Sequence, residues 1–282
     1  MRFTKMHGAG NDYVLLDARN IQADWHGLAR DMCDRHMGIG SDGILLVMPS
    51  ESADVRMRMF NPDGSEAEMC GNGIRCLAKY VLERGIAKVG EQPLRVETMA
   101  GLKVVEPCWS DGKVVRARVG MGEPELRPDK VPVALPEGLI QIPVLDYPLS
   151  VEDVDLKLTF VSMGNPHAIA FIDTPVKEFP LHSIGPLVEH HAIFPNQVNF
   201  SVVNTNGHDR ITARVWERGV GETLACGTGA CAIAVASRLH DLTGDSVDIT
   251  LPGGTLGISL DSKGQVWLEG PAEEVFQGEW RG

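Results

Sequence analysis

Cys70-Gly71-Asn72-Gly73 recurs in this chain as Cys226-Gly227-Thr228-Gly229, each copy just before a stretch with helical spacing of apolar residues. The repeat extends beyond the glycines. A shift of 156 positions carries Arg58-Met59-Phe60-Asn61 to Arg214-Val215-Trp216-Glu217, Glu66 to Glu222 and Ala78 to Ala234, and a shift of 154 carries Gly10-Asn11 to Gly164-Asn165. Each half therefore reads in the same order: a Gly-Asn turn, a middle segment, a strand, then Cys-Gly-x-Gly and a helix. The period is too long for a solenoid array and fits a duplication giving two similar domains related by a pseudo-twofold axis.

The 282 residues suffice for two domains, each with its own core. Working outward from the motifs, Arg2 to Asp17 reads as strand, turn, strand. Leu28 to His36 reads as a short helix, and Ile44 to Met48 and Val55 to Phe60 as strands. The spacing of Ile74, Leu77, Ala78, Val81 and Leu82 predicts a helix over 74–83, and 230–239 is its counterpart. Strands are expected at 94–97, 103–106, 114–119, 156–162, 168–172, 197–203, 211–216, 247–251, 256–260 and 266–268. Six prolines from Pro124 to Pro148 mark an extended connection. The strands lie too close together for parallel crossovers to dominate. The fold class expected is α+β: two similar domains, each a curved, strand-rich sheet wrapped on a central helix. Residues 1–119 plus 270–282 form the domain carrying Cys70, and 120–269 the domain carrying Cys226.

A hydrophobic content of 43% and a charged content of 23% describe a soluble globular chain. The net charge of -12 argues against nucleic acid or an anionic membrane as partner. No stretch reads as a signal core or a membrane span, and six cysteines in this length do not make a secreted disulfide scaffold. The expected compartment is the cytoplasm, with reduced thiols.

A cysteine at a helix N-terminus meets unsatisfied N–H groups and the positive end of the helix dipole, which favour the thiolate. The same N–H groups bind a carboxylate. Two such helices with opposed N-termini would set a thiol on each face of one carbon. That arrangement suits inversion of an amino-acid α-carbon, one thiolate taking the proton and the other thiol returning one, with no cofactor. Cys33, Cys76, Cys108 and Cys231 read as small core residues. The cysteine spacing is not that of a zinc site, and no lysine stands in a convincing pyridoxal context, so no metal and no cofactor are expected. A Cys70–Cys226 disulfide in oxidised material would be an inactive state.

Met6-His7-Gly8-Ala9-Gly10-Asn11-Asp12, Gly38-Ile39-Gly40, Phe60-Asn61-Pro62-Asp63-Gly64-Ser65-Glu66, Cys70 to Cys76, Met163-Gly164-Asn165-Pro166-His167 and Glu217 to Thr223 with Cys226 to Gly229 resemble, in order and over nearly the whole chain, the diaminopimelate epimerase family. The resemblance implies an isomerase that interconverts LL- and meso-2,6-diaminopimelate, for lysine and peptidoglycan synthesis, with its active site in the interdomain cleft. The family often forms homodimers. Its catalytic thiols fall on Cys70 and Cys226, and its backbone clamp for the reacting carboxylate on Gly71, Asn72, Gly227 and Thr228. Residues assisting at the reacting centre fall on His167 and Glu217. Polar substrate contacts fall on Asn11, Asn61, Asn165, Asn199 and Arg218, the last suited to the distal carboxylate. At Gly43 some family members carry a substrate-binding glutamine; here a backbone contact or another residue must replace it. A racemase or epimerase of another amino acid on the same fold is the alternative.

Overall fold

The computed structural model describes residues 1–90, 92–136 and 141–282. The chain forms two compact units, Met1–Gly120 with Glu269–Gly282, and Met121–Leu268.

In the first unit the elements are β1 (Arg2–Gly8), β2 (Asn11–Asp17), α1 (Trp25–Cys33), β3 (Ile44–Met48), β4 (Val55–Phe60), β5 (Glu66–Ala67), α2 (Gly71–Glu83), β6 (Leu94–Thr98), β7 (Gly101–Ser110) and β8 (Lys113–Gly122). The pairing is β1 with β2 antiparallel, β2 with β3 parallel, β3 with β4 antiparallel, β4 with β5 antiparallel, β4 with β6 parallel and β6 with β7 antiparallel. Val14 to Leu16 and Ile44 to Val47 are buried at every position, as expected of strands covered on both faces. Val14, Leu16, Ile44 and Leu46 pack on one side against Trp25, Ala29 and Met32 of α1. On the other side α2 lies across the sheet and is buried from Gly71 to Leu82.

The second unit repeats this plan with β9 (Tyr147–Val151), β10 (Val154–Ser162), β11 (Pro166–Phe171), α3 (Leu181–Glu189), β12 (Asn199–Thr205), β13 (Arg210–Glu217), β14 (Gly221–Thr223), α4 (Gly227–Leu239), β15 (Ser246–Leu251), β16 (Gly254–Leu260) and β17 (Val266–Pro271). Its ladders are β10 with β11 antiparallel, β11 with β12 parallel, β12 with β13 antiparallel, β13 with β14 antiparallel, β13 with β15 parallel and β15 with β16 antiparallel, the same series as in the first unit. Each parallel pair needs a crossover. The first pair of each unit is crossed by a nine-residue helix, α1 or α3, and the second by the longer helix, α2 or α4. In α4 the alanines at 230, 232, 234 and 236 let the surrounding strands close in on a helix that is buried on all sides. A last strand, β18 (Glu273–Glu279), pairs antiparallel with β1.

The departures from expectation have local causes. The central helices begin at Gly71 and Gly227, three residues before the apolar spacing starts, because each cysteine takes extended geometry and caps the helix with its carbonyl. Helix α1 begins at Trp25, where the Asp24 carboxylate accepts from Gly27 N at 3.1 Å. Helix α3 escapes the periodicity because Gly185 and Pro186 interrupt it. Gly185 is required there, since a Cβ would stand 2.6 Å from the Trp216 ring. The proline-marked connection is no free linker. Val131, Val133 and Val144 are buried in the second unit's core, and Glu125 bridges to Ser162. Residues 137–140 of that connection lie outside the described residues.

Candidate active site

Cys70 and Cys226 are each the N-cap of a 13-residue helix, with the cap carbonyl accepting from Ile74 N and from Ala230 N at 2.9 Å. The N–H groups of the first helical turn have no acceptor within the helix, so residues 71–73 and 227–228 carry backbone donors, beside each sulfur, that the helix itself does not use. Gly73 is dictated by packing: a Cβ would meet the Leu45 side chain at 3.1 Å. At Gly229 it would press on Cys226 Sγ at 3.2 Å. The strand before each cysteine is pinned by the same ion pair. Arg58 Nε donates to Glu66 Oε1 at 2.6 Å, and Arg214 Nε to Glu222 Oε1 at 2.7 Å.

The two sulfurs have different neighbours. Cys226 Sγ accepts from Gly229 N at 3.4 Å and lies 3.6 Å from Thr228 Oγ1, so this side chain caps its own helix. Burial, and next the Glu217 carboxylate, push this thiol well above its ordinary range, outweighing the Thr228 hydroxyl and the Gly229 N–H. The Gly229 N–H of the helix N-terminus still favours the thiolate at Cys226, as expected, but removal of the sulfur from water outweighs it. Cys70 makes no such cap. Its Sγ lies 2.8 Å from the Tyr13 hydroxyl and 3.7 Å from Asn11 Oδ1.

Around Cys70 the structure gathers Asn11 and Asn72. Asn72 Nδ2 donates to Asn11 Oδ1 at 3.1 Å, and Asn11 Nδ2 donates to Asp42 Oδ2 at 2.7 Å. Asn61 is held in its own turn, its Nδ2 donating to Ser65 Oγ at 3.0 Å and its backbone N–H to the Ser65 carbonyl at 2.8 Å. Gly43 has no room for a side chain, since a Cβ would lie 2.7 Å from the Phe60 carbonyl. Its own carbonyl accepts from Val14 N and from the Ser41 hydroxyl, each at 3.0 Å.

Around Cys226 the structure gathers Glu217, Thr228, Asn165 and His167. Asn165 Nδ2 donates to Thr228 Oγ1 at 3.2 Å, which leaves its Oδ1 to accept from His167 Nε2 at 3.1 Å. His167 is fully buried. Burial, and next the charge of Arg218, lower its pKa to about 3, so the ring is neutral. With Nε2 carrying the proton, Nδ1 is a buried acceptor with no partner among the described residues. Thr223 Oγ1 donates to Glu217 Oε1 and fixes that carboxylate. Asn199 is buried. Its Oδ1 accepts from Arg218 N at 3.0 Å, and its Nδ2 donates to the Pro166 carbonyl at 2.8 Å. The exposed Arg218 side chain donates to the Asn196 carbonyl at 3.0 Å. Tyr13 is a neighbour that lies outside the motifs, and Thr223, within one, is given no role by the sequence. Among the described residues no disulfide is formed. Among the described residues no group of three or more His, Cys, Asp or Glu is arranged to hold a metal ion.

The fold is shared by solved structures of low sequence identity. A hydroxyproline epimerase from Agrobacterium vitis superposes with a TM-score of 0.71 at 16% identity, covering 99% of this chain and 91% of that one. A phenazine biosynthesis protein from Bacillus anthracis gives 0.71 at 18% identity, covering 99% and 98%. Sequence narrows the class. The diaminopimelate epimerase family model matches residues 3–127 and 159–275. The diaminopimelate epimerase of Acetivibrio thermocellus is 47% identical over 281 residues, covering 99% of this chain and 98% of the relative. That of Pelotomaculum thermopropionicum is 48% identical over 283 residues, covering 99% of each. The chain belongs to the diaminopimelate epimerase family.

Proposed function

We propose that this chain interconverts LL- and meso-2,6-diaminopimelate without a cofactor, each unit contributing one thiol to the chemistry. The observation that carries the reading is the duplicated cysteine N-cap: two helices of equal length, each opening on Cys-Gly-x-Gly after the same strand and the same Arg–Glu pair. In one direction the Cys70 thiolate takes the α-proton and becomes a thiol. Cys226, a thiol, then gives its proton to the opposite face of the carbanion and becomes a thiolate. The reverse reaction exchanges the roles. The α-proton is weakly acidic, so the charge developing on the carboxylate must be held. The first-turn N–H groups of Gly71, Asn72, Gly227 and Thr228 supply that support.

Burial, and next Glu217 beside it, keep Cys226 protonated until a carbanion calls for the proton. The neutral His167 offers Nδ1 as an acceptor for an N–H of the substrate. Arg218 has guanidinium donors beyond the one given to Asn196, and they suit the distal carboxylate. Asn11, Asn61, Asn165 and Asn199 complete the polar lining, and the backbone at Gly43 stands where a side chain would clash. The reading implies a cytoplasmic enzyme of lysine and peptidoglycan synthesis. The homodimer that goes with it is checked by sedimentation.

Cys70→Ala and Cys226→Ala test the reading under reducing conditions with LL-diaminopimelate. Each variant is expected to lose at least about 100-fold in net epimerisation, the scale of a positioned acid or base, with an unchanged circular dichroism spectrum. Near-wild-type turnover in either variant would contradict the two-thiol mechanism.

A further inference from the structure

The shift of 154 that carries Asn11 to Asn165 also carries Tyr13 to His167. The structure gives these two residues the same place. Tyr13 is on β2 and His167 on β11, each strand pairing antiparallel with its predecessor and parallel with the strand beyond the short helix. Both side chains are fully buried. In each, the polar atom of the ring meets the amide oxygen of the asparagine two residues back: the Tyr13 hydroxyl on Asn11 Oδ1, His167 Nε2 on Asn165 Oδ1. Tyr13 goes further and places its hydroxyl 2.8 Å from Cys70 Sγ.

We propose that Tyr13 is a positioning residue for Cys70: its hydroxyl fixes the orientation of the sulfur and donates its proton to it whenever Cys70 is a thiolate. The proposal rests on the reading of Cys70 as one of the two proton-transfer groups, and adds to it a residue outside the motifs.

The hydrogen-bond inventory permits the exchange. A tyrosine hydroxyl has one proton to give. Burial, and next the charge of the neighbouring sulfur, keep the phenol protonated. While Cys70 is a thiol, the Tyr13 proton points to Asn11 Oδ1 and the S–H points to an oxygen. When Cys70 becomes a thiolate, the Tyr13 proton turns to Sγ. Asn11 Oδ1 is not stranded, because Asn72 Nδ2 still donates to it at 3.1 Å. Asn11 itself cannot flip, since its Nδ2 is engaged by Asp42 Oδ2 at 2.7 Å. No covalent bond changes. A neutral donor at Cys70 favours its thiolate, whereas at Cys226 burial and next the Glu217 carboxylate oppose the thiolate.

Tyr13→Phe removes only the hydroxyl and keeps the ring that fills the core. The full chain, reduced, is alkylated with iodoacetamide across a pH series, and each cysteine is followed by peptide mass spectrometry. Loss of one hydrogen bond to the thiolate should raise the Cys70 alkylation midpoint by about one pH unit and leave that of Cys226 in place. Turnover should fall about 10-fold in kcat/KM, the same factor in both directions because the equilibrium constant fixes their ratio. An unmoved Cys70 midpoint, a kcat/KM within twofold of wild type, or an equal displacement of both cysteines would each overturn the proposal. Cys70→Ala separates this from the underlying reading. If that variant is inactive while Tyr13→Phe changes nothing, only the role of Tyr13 falls. If it retains turnover, the two-thiol mechanism falls.

Discussion

Cys226 is 4% exposed, with Glu217, Thr228 and the Gly229 N–H around its sulfur, while Cys70 is only partly buried beside a phenol and two asparagines. These surroundings decide which protonation state each sulfur favours. Burial raises the Cys226 thiol most and the Glu217 charge next; replacing Glu217 by Gln removes that charge, so the thiol pKa is expected to fall and its alkylation at neutral pH to quicken, about 10-fold for one pH unit. Peptide-resolved alkylation measures it, and an unchanged or slower rate at Cys226 would show that Glu217 does not act on the thiol. The cysteine-glycine motifs were legible because thiol, glycine and helix start are all written in one short run. The raised thiol at Cys226 was not legible, because it comes from burial and next from Glu217 at a strand end. Tyr13 was half legible: the offset that aligns the Gly-Asn turns aligns it with His167, but a tyrosine in an apolar strand reads as core until its hydroxyl is located.

The elements carry the duplication further than the motifs do. Arg58–Glu66 and Arg214–Glu222 tie the same strand to the same short return before each cysteine. The second pair is the more embedded, since Arg214 also donates to the carbonyls of Val176 at 2.8 Å and Phe179 at 2.9 Å. Arg214→Met should therefore cost about 2–4 kcal/mol, leaving Glu222 and two carbonyls short of a donor, whereas Arg58→Met should cost about 1–2 kcal/mol. Urea titrations of the two variants check the order; equal losses would mean that the extra carbonyl contacts contribute nothing. Strands such as β3 and β4 were read to the residue because buried runs and alternation are local signals. Helix α3 was hidden by its Gly-Pro pair, and its glycine is explained only by Trp216, 31 positions away in sequence. Short strands such as β5 and β14 leave no periodicity to read.

At the scale of the whole molecule, two units repeat one series of ladders, one short crossover helix and one buried helix opening on cysteine. On the proposed reading a duplicated cysteine motif suits a reaction that treats both faces of a carbon alike, and the differences between the repeats, Asn61 against Glu217 and Tyr13 against His167, answer to the asymmetry of its substrate. The order of the pieces was legible from two offsets in the sequence. The packing of the proline-rich connection into the second core was not, because proline spacing reports extension but not what the valines between them bury. The most direct test of two thiols acting on opposite faces is the fate of the α-proton. LL-diaminopimelate is turned over by the reduced enzyme in deuterated water, and substrate and product are analysed at early times by mass spectrometry. The two-thiol account predicts that the first meso product carries deuterium at the inverted carbon, while unreacted LL substrate is still protonated. Return of the substrate's own proton to the inverted carbon would mean that a single base works both faces, and would contradict it.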